Sequence, residues 1–325
     1  MSLDVERLSL PICGICGVPI RVHVLLPVVA GLAALNAFFA GVGTLGIIMA
    51  IIISGPLLLL TVLVHEMGHV SAAKRCGFSP DHILLWPLGG LAYISKEGIT
   101  PKEQIFVSSM GPATHIPMLA LWAGCMFLTN GGSVTLSTSG MWYDEHFVPI
   151  MCIAMLTNNI AMLLFNLLVP CIPLDCSQIL VSALLLCGCE ASTAAKVMVG
   201  ASVPVIVVLV GLGVWMFATG GFLASMNLVL GCWLAVQTYR LHQARVNGQL
   251  ATMPLFATAI QQQQAAASQA AANPSSVGRA AGRGFTPFDG TGNVLGRSTA
   301  SSNEICIGSI VALITSIVVT ASVAG

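Results

Sequence analysis

The chain has 325 residues, of which 56% are apolar and only 7% are charged. Twelve Lys and Arg balance twelve Asp and Glu, which excludes the strongly basic surface of a typical nucleic-acid-binding protein. The composition therefore predicts a membrane protein that contacts the lipid bilayer and has no nucleic-acid partner.

The first 21 residues are predicted to be a cytosolic N-terminal segment. The charged residues Asp4, Glu6 and Arg7 exclude a secretory signal peptide. A single C-x-x-C pair, Cys13 and Cys16, is only a weak signal for metal binding or redox chemistry, because no second pair accompanies it.

Long apolar runs between residues 22 and 240 predict a transmembrane domain. With one further run near the C-terminus, they give an all-α polytopic membrane protein of about seven transmembrane helices. The predicted spans are 22–40, 45–73, 104–128, 147–169, 197–217, 222–239 and 305–324. The apolar run 180–189 is too short to cross a bilayer, so we expect a half-helix or an interfacial segment there.

The second predicted span ends in the motif His-Glu-Met-Gly-His at residues 65–69. A spacing of four residues puts the imidazoles of His65 and His69 one turn apart on one helix face. Both can then bind one zinc ion, while the carboxylate of Glu66 reaches a water molecule beside it. Ionisable groups in a membrane helix need a compensating partner, which a divalent cation supplies. Because Lys74 follows Met67, the centre of the motif, by about 10 Å of helix, the site is expected just below the cytosolic surface.

A zinc site needs a third protein ligand, and Asp175 is the candidate. Glu66 and Asp175 are the two acidic residues that lie in long uncharged surroundings. Pro170 and Pro173 break the helix before Asp175, and the freed backbone groups favour a polar cavity. The alternative is that Asp175 caps the following helix, and the two roles are partly compatible.

The C-terminal region differs from the spans in composition. Residues 241–303 are rich in Gln, Ala, Ser and Gly, which predicts a disordered linker, and residues 304–325 predict a C-terminal transmembrane helix. Because the candidate site residues all precede Cys189, this tail is expected to anchor or regulate the protein, or to act as a gate at the entrance to the site. Truncation after Asn247 is then expected to preserve metal binding.

Positive charges predict the orientation of the chain. With the spans given above, all twelve Lys and Arg fall on one side, since the charged residues of the loop before Phe147 are Asp144 and Glu145. Positive charge is enriched in cytosolic loops, so Met1 and the candidate site are expected on the cytosolic side of a multi-pass membrane protein. The sequence leaves the identity of the membrane open.

Together these motifs resemble the site-2 protease family of intramembrane zinc metalloproteases. The resemblance covers residues 21–189 and is carried by four motifs. They are His-Glu-x-x-His, Pro-Leu-Gly-Gly at 87–90, Gly111-Pro112, and an Asn…Pro…Pro-Leu-Asp element at 166–175. The family fold implies a three-helix catalytic core at about residues 45–189 and a small membrane-associated β-hairpin.

The resemblance also implies roles for individual residues. His65, His69 and Asp175 correspond to the zinc ligands, and Glu66 to the base that moves the proton of water to the leaving amine. Asn166 would orient the substrate or hydrogen-bond the oxyanion. The implied activity is that of a zinc metalloendopeptidase acting within or near transmembrane segments of membrane-tethered proteins. The hairpin strands near 82–86 and 91–94 would receive an extended substrate segment.

Three positions depart from the usual family pattern. Cys176 follows Asp175 where the family has Gly, and its thiolate could occupy the open position on zinc, although a packed thiol is favoured. His115 stands where the family motif Gly-Pro-x-x-Asn has Asn, and it is either a site residue or a histidine hydrogen-bonded between helices. Asn166 lies one residue further from the aspartate than in the commonest version. Asn158 and Asn159, in the same span as Asn166, are expected to hydrogen-bond between helices and not to take part in catalysis.

Other protein classes fit these motifs less well. A soluble-type or prenyl-protein-processing metalloprotease would use a distal glutamate as its third zinc ligand. Glu190 and Glu304 are the candidates, and neither has a helical partner motif. A transporter would not need Glu66 between the two histidines. A proteolytically inactive relative that binds membrane proteins stays the alternative function, although such a relative would be expected to lose Glu66 or a ligand. The oligomeric state is left open.

Overall fold

The structure is a computed structural model, and it describes residues 8–86, 89–95, 98–137, 145–218 and 225–272. The predicted C-terminal helix and the part of the predicted linker after residue 272 lie outside the described residues.

Helices dominate the described part, and a small sheet lies between them. The elements in chain order are β1 (Ser9–Ile15), β2 (Val18–His23), α1 (Leu26–Phe39), α2 (Gly43–Ile52), α3 (Leu58–Arg75), β3 (Ser79–Trp86), β4 (Gly89–Ser95), α4 (Pro101–Ala113), α5 (His115–Thr129), α6 (Phe147–Leu168), α7 (Asp175–Leu186), α8 (Ala191–Ala218), α9 (Ser225–Val246) and α10 (Pro254–Ala272). A π-helical turn at Ile53–Leu57, which contains Pro56, joins α2 to α3.

Four helical stretches of the described part are long and apolar enough to cross a membrane. They are Gly43–Arg75, Pro101–Thr129, Phe147–Leu168 and Ala191–Trp215. The chain is thus an integral membrane protein, and four of the predicted spans coincide with these candidate helices. The predicted count of about seven is not confirmed. The first predicted span is only the 14-residue α1, because the residues up to His23 pair in the sheet.

The sheet has four strands, in the order β1-β2-β3-β4, where the sequence predicted a single hairpin. β1 and β2 form an additional antiparallel hairpin, and β2 pairs with β3 in parallel. Cys16 and Gly17 form the two-residue turn between β1 and β2, with φ values of 52° and 77°. Pro11 is compatible with β1 because this strand lies at the edge of the sheet. Cys13 and Cys16 are exposed free thiols, so the C-x-x-C pair belongs to a surface hairpin.

Close packing of α3 against α4 brings their backbones together near the centre of the fold. A Cβ atom at Gly68 of α3 would lie 2.4 Å from the carbonyl oxygen of Met110 in α4. Only a glycine allows this approach, since 2.4 Å is far inside van der Waals contact. The motif in α3 therefore lies directly against α4.

The first part of the predicted disordered linker is helical, which corrects that expectation for the described residues. α9 continues to Val246 and α10 spans Pro254–Ala272. Ala and Gln favour helix, and Phe256 gives α10 an anchor in the core. This side chain is fully buried, in one cluster with Leu184 of α7 and Met198 of α8. The folded unit therefore extends beyond Asn247.

Candidate metal centre

Three buried side chains, two from α3 and one from α7, converge beside α4. The Nε2 atoms of His65 and His69 lie 3.2 Å apart. His65 Nε2 is 3.2 Å from Oδ2 of Asp175, and His69 Nε2 is 3.2 Å from Oδ1. The structure thus brings together the three predicted ligands, whose ligand atoms all lie within 4.8 Å of one another.

The start of α7 is held in place by side chains on α4 and α7. Asp175 is the first residue of this helix, and Leu174 is its N-cap, with no side-chain cap hydrogen bond. The alternative that Asp175 caps the helix is therefore not observed. Gln178 of α7 donates to the carbonyl of Pro173 at 3.1 Å, and Gln104 of α4 donates to Oε1 of Gln178 at 2.5 Å. These contacts fix the position from which the carboxylate of Asp175 projects.

The far ring nitrogen of each histidine also has a partner. His69 Nδ1 lies 2.8 Å from the carbonyl oxygen of Val107, and His65 Nδ1 lies 3.1 Å from Nε2 of His115. A carbonyl can only accept, so Nδ1 of His69 carries a proton, and in the neutral imidazole Nε2 then keeps a lone pair. The lone pair on Nε2 points to the place where the three side chains meet.

Two glycines allow backbone to approach the site closely. A Cβ atom at Gly111 of α4 would lie 2.2 Å from Nε2 of His69 and 2.8 Å from Nε2 of His65. A Cβ atom at Gly90 of β4 would lie 2.6 Å from Oε1 of Glu66. The carboxylate of Glu66 is therefore buried under β4. Both glycines belong to motifs of the sequence, and the close approach of side chain to backbone is the physical reason for a glycine at each position.

The residues present fit a bound metal cation. Oδ2 of Asp175 is buried without a hydrogen-bond partner among the described residues, since its 3.2 Å approach to His65 lacks hydrogen-bond geometry. A cation among the three groups would satisfy this oxygen. Burial opposes the charge of Asp175, yet the imidazoles of His69 and His65 lower its pKa to about 2. The carboxylate is then ionised at neutral pH, as a metal ligand must be.

The remaining candidate residues lie elsewhere or make other contacts. The side-chain amide of Asn166 donates to the carbonyl of Met162, 3.1 Å away in its own helix, so its role in catalysis stays a prediction. Cys176 is buried, and burial raises the pKa of this thiol to about 12, in agreement with a packed thiol. Glu190 is exposed at the start of α8, and Glu304 lies outside the described residues.

Residues 50–136 match the family model of Peptidase family M50. This segment includes the His-Glu-x-x-His motif, Gly111 and His115, and it ends before Asp175. This segment of the chain is thus similar to peptidase family M50, the family of the site-2 proteases.

Curated proteins from two distant organisms are similar to the chain over most of its length. The chain is 27% identical over 266 residues to zinc metalloprotease Rip3 of Mycobacterium tuberculosis, which is 77% of this chain and 62% of that protein. It is 28% identical over 228 residues to zinc metalloprotease MJ0392 of Methanocaldococcus jannaschii, which is 68% of this chain and 56% of that protein. The chain thus spans about three-fifths of the length of these curated relatives. The solved structure of the site-2 protease from Methanocaldococcus jannaschii covers 71% of this chain and 95% of its own, with 18% identity and a TM-score of 0.47.

Proposed function

We propose that this chain is a zinc metalloendopeptidase that cleaves membrane-tethered proteins within or near their transmembrane segments. The observation that carries the proposal is the meeting of His65, His69 and Asp175 in a buried site. Glu66, the general base of the proposal, adjoins the first ligand in a helix able to cross a membrane. The match to Peptidase family M50 and the names of the relatives support the same reaction class.

The spacing of the ligand groups is compatible with zinc as the metal. Zinc binds imidazole nitrogen and carboxylate oxygen at about 2.0–2.1 Å, so tetrahedral ligands lie about 3.3 Å from one another. The two Nε2 atoms lie 3.2 Å apart, and each lies 3.2 Å from a different carboxylate oxygen of Asp175. Three protein ligands leave one position open, which is typical of catalytic zinc sites. When bound, zinc polarises a water molecule and the carbonyl of the peptide bond.

The side chains around this position divide the remaining work. Glu66 accepts the proton of the attacking water and later delivers it to the leaving amine. Burial under β4 keeps its carboxylate away from bulk water, which strengthens its electrostatic interactions. Asn166 is retained as a candidate donor to the oxyanion, and this role would require its amide to leave the carbonyl of Met162.

The sheet supports an extended conformation for the substrate. β4 is the last strand of the sheet within the described residues, and Gly90 in this strand lies against Glu66. A transmembrane segment hides its peptide bonds in helical hydrogen bonds, so it must unwind before hydrolysis. We infer that the unwound segment pairs with β4 as an added strand, which brings a peptide bond towards Glu66.

The positive charges support a site that faces the cytosol. Lys74 and Arg75 end the helix that carries the two histidines. Nζ of Lys74 donates to the carbonyl of Cys16 at 2.7 Å, which links this helix end to the N-terminal hairpin. Under the positive-inside rule this end and the N-terminal hairpin lie on the cytosolic side.

Metal analysis of the purified full chain tests the proposal. We expect about one zinc per chain in the wild type, and loss of that zinc in Asp175→Ala. Asp81→Ala is the matched control, because the side chain of Asp81 is 79% exposed on β3, and it should keep its zinc. Full occupancy in Asp175→Ala would remove Asp175 from the site, and a wild type without zinc would refute the zinc proposal. Zinc binding without hydrolysis of any membrane-tethered substrate would favour the inactive binding module.

A further inference from the structure

A chain of hydrogen bonds leads from His65 away from the metal centre into the core. Beyond the contact of His65 with His115, Nδ1 of His115 lies 2.9 Å from Oδ1 of Asn159. The side-chain amide of Asn159 donates to the carbonyl of Met155 at 2.8 Å. His115 and Asn159 are both fully buried, on α5 and α6 respectively. The chain of hydrogen bonds therefore links three helices, α3, α5 and α6.

The far end of this chain sets the direction of every hydrogen bond in it. The carbonyl of Met155 can only accept, so the NH₂ group of Asn159 faces it and Oδ1 faces His115. Oδ1 can also only accept, so Nδ1 of His115 carries a proton. Neutral His115 then has a lone pair on Nε2, and the proton in the contact with His65 must come from Nδ1 of His65.

This direction fixes which nitrogen of His65 can bind a metal. With the proton on Nδ1, the lone pair of His65 lies on Nε2, the atom that faces His69 and Asp175. The carbonyl of Val107 does the same for His69 through a backbone atom, which a substitution cannot remove. The tautomer of His65 depends on the side chains of His115 and Asn159, so the effect of these partners can be tested by substitution.

We propose that His115 and Asn159 are positioning residues that hold His65 in its metal-binding tautomer. The inference rests on the proposed zinc site, because the zinc is what the lone pair on Nε2 would bind. It gives a role to His115, the position at which this chain departs from the Gly-Pro-x-x-Asn pattern. Partners of this kind behind metal-binding histidines typically contribute 10–100-fold to metal affinity.

Zinc affinity of the purified full chain, measured by competition with a chelator, tests this role. His115→Gln keeps an acceptor at about the reach of Nε2, so we expect its zinc dissociation constant to stay within about threefold of wild type. His115→Asn is one methylene shorter and cannot reach His65, so we expect zinc to bind about 10–100-fold more weakly.

Substitution of Asn159 gives an independent arm, because Asn159 does not contact His65. Asn159→Leu leaves His115 free to adopt the opposite tautomer, so zinc affinity should fall by at least about tenfold. Asn158→Leu, at the neighbouring asparagine of α6, is the matched control and should leave the affinity unchanged. Thermal unfolding of the metal-free variants reports folding separately from zinc affinity.

The outcomes distinguish the positioning role of His115 and Asn159 from the zinc site on which it rests. Wild-type zinc affinity in Asn159→Leu, or equal affinities of His115→Gln and His115→Asn, would overturn the positioning role. A wild-type protein that holds no zinc would instead overturn the proposed function. If Asn159→Leu does not fold, the Gln and Asn variants of His115 decide the question alone.

Discussion

Substitution of Gly111 by Ala adds one methyl group at the most crowded point of the metal centre. Its Cβ atom would lie 2.2 Å from Nε2 of His69 and 2.8 Å from Nε2 of His65, whereas ordinary contacts begin at 3.4 Å. Either α4 or the two imidazoles must then move by about 1 Å, several times the roughly 0.2 Å that metal–ligand distances tolerate.

The size of the expected effect follows from this displacement. A shift of about 1 Å in a reactive group typically costs about 100-fold in rate, and we expect zinc affinity to fall by at least a similar factor. The added methyl group should also lower the free energy of unfolding by about 1–3 kcal/mol, the usual cost of overpacking. Because Gly68 already brings α3 against the backbone of α4, α4 cannot retreat without breaking that contact.

Zinc content and chelator competition on purified Gly111→Ala measure this effect. Gly124→Ala is the matched control, since Gly124 lies in α5 and a Cβ atom there would have nothing within 4 Å. We expect the control to keep its zinc and the wild-type hydrolysis rate. Wild-type zinc affinity in Gly111→Ala would contradict the described approach of α4 to the two histidines.

Three further predictions concern the general base, Glu66, and the helix α10. Glu66→Gln should keep about one zinc per chain and lose about 10²–10⁴-fold in hydrolysis, because the amide cannot accept the proton of water; wild-type turnover would exclude Glu66 as the base. Phe256→Ala should lower the free energy of unfolding by about 3–5 kcal/mol, since its ring is fully buried. Thermal unfolding measures this change and also tests two truncated chains. Truncation after Asn247 should destabilise the protein, whereas truncation after Ala272 should not. Equal stability of the two truncated chains would show that α10 is not part of the folded unit.

The sequence was most informative where polar residues interrupt apolar runs. The spacing of His65 and His69 placed both imidazoles on one helix face, as the structure has them. Asp175 could be selected because acidic residues are rare in such surroundings. The hydrogen-bond partners of the two histidines were harder to predict from the sequence. The carbonyl of Val107 is a backbone acceptor, so the identity of this residue gives no indication of the contact.

The sequence was least informative where short segments rely on distant partners. β1 contains Pro11 and Gly14, which disfavour a central strand, yet the edge of a sheet accepts them. Residues 254–272 have the composition of a linker, yet Phe256 is buried in the core, and Leu255 and Ile260 pack beside it, so they dock as a helix. Both decisions depend on contacts with remote parts of the chain, which local composition does not record.

The π-helical turn at Ile53–Leu57 sets the rotational phase between α2 and the helix that carries the two histidines. Each residue of an α-helix advances the chain by about 100° around the axis, so one residue more or fewer in this turn would rotate α2 and α3 relative to each other by that angle. Gly68 holds α3 against α4, so this rotation would fall on α2 and would leave His65 and His69 facing Asp175. The length of the turn therefore determines which face α2 presents to its neighbours.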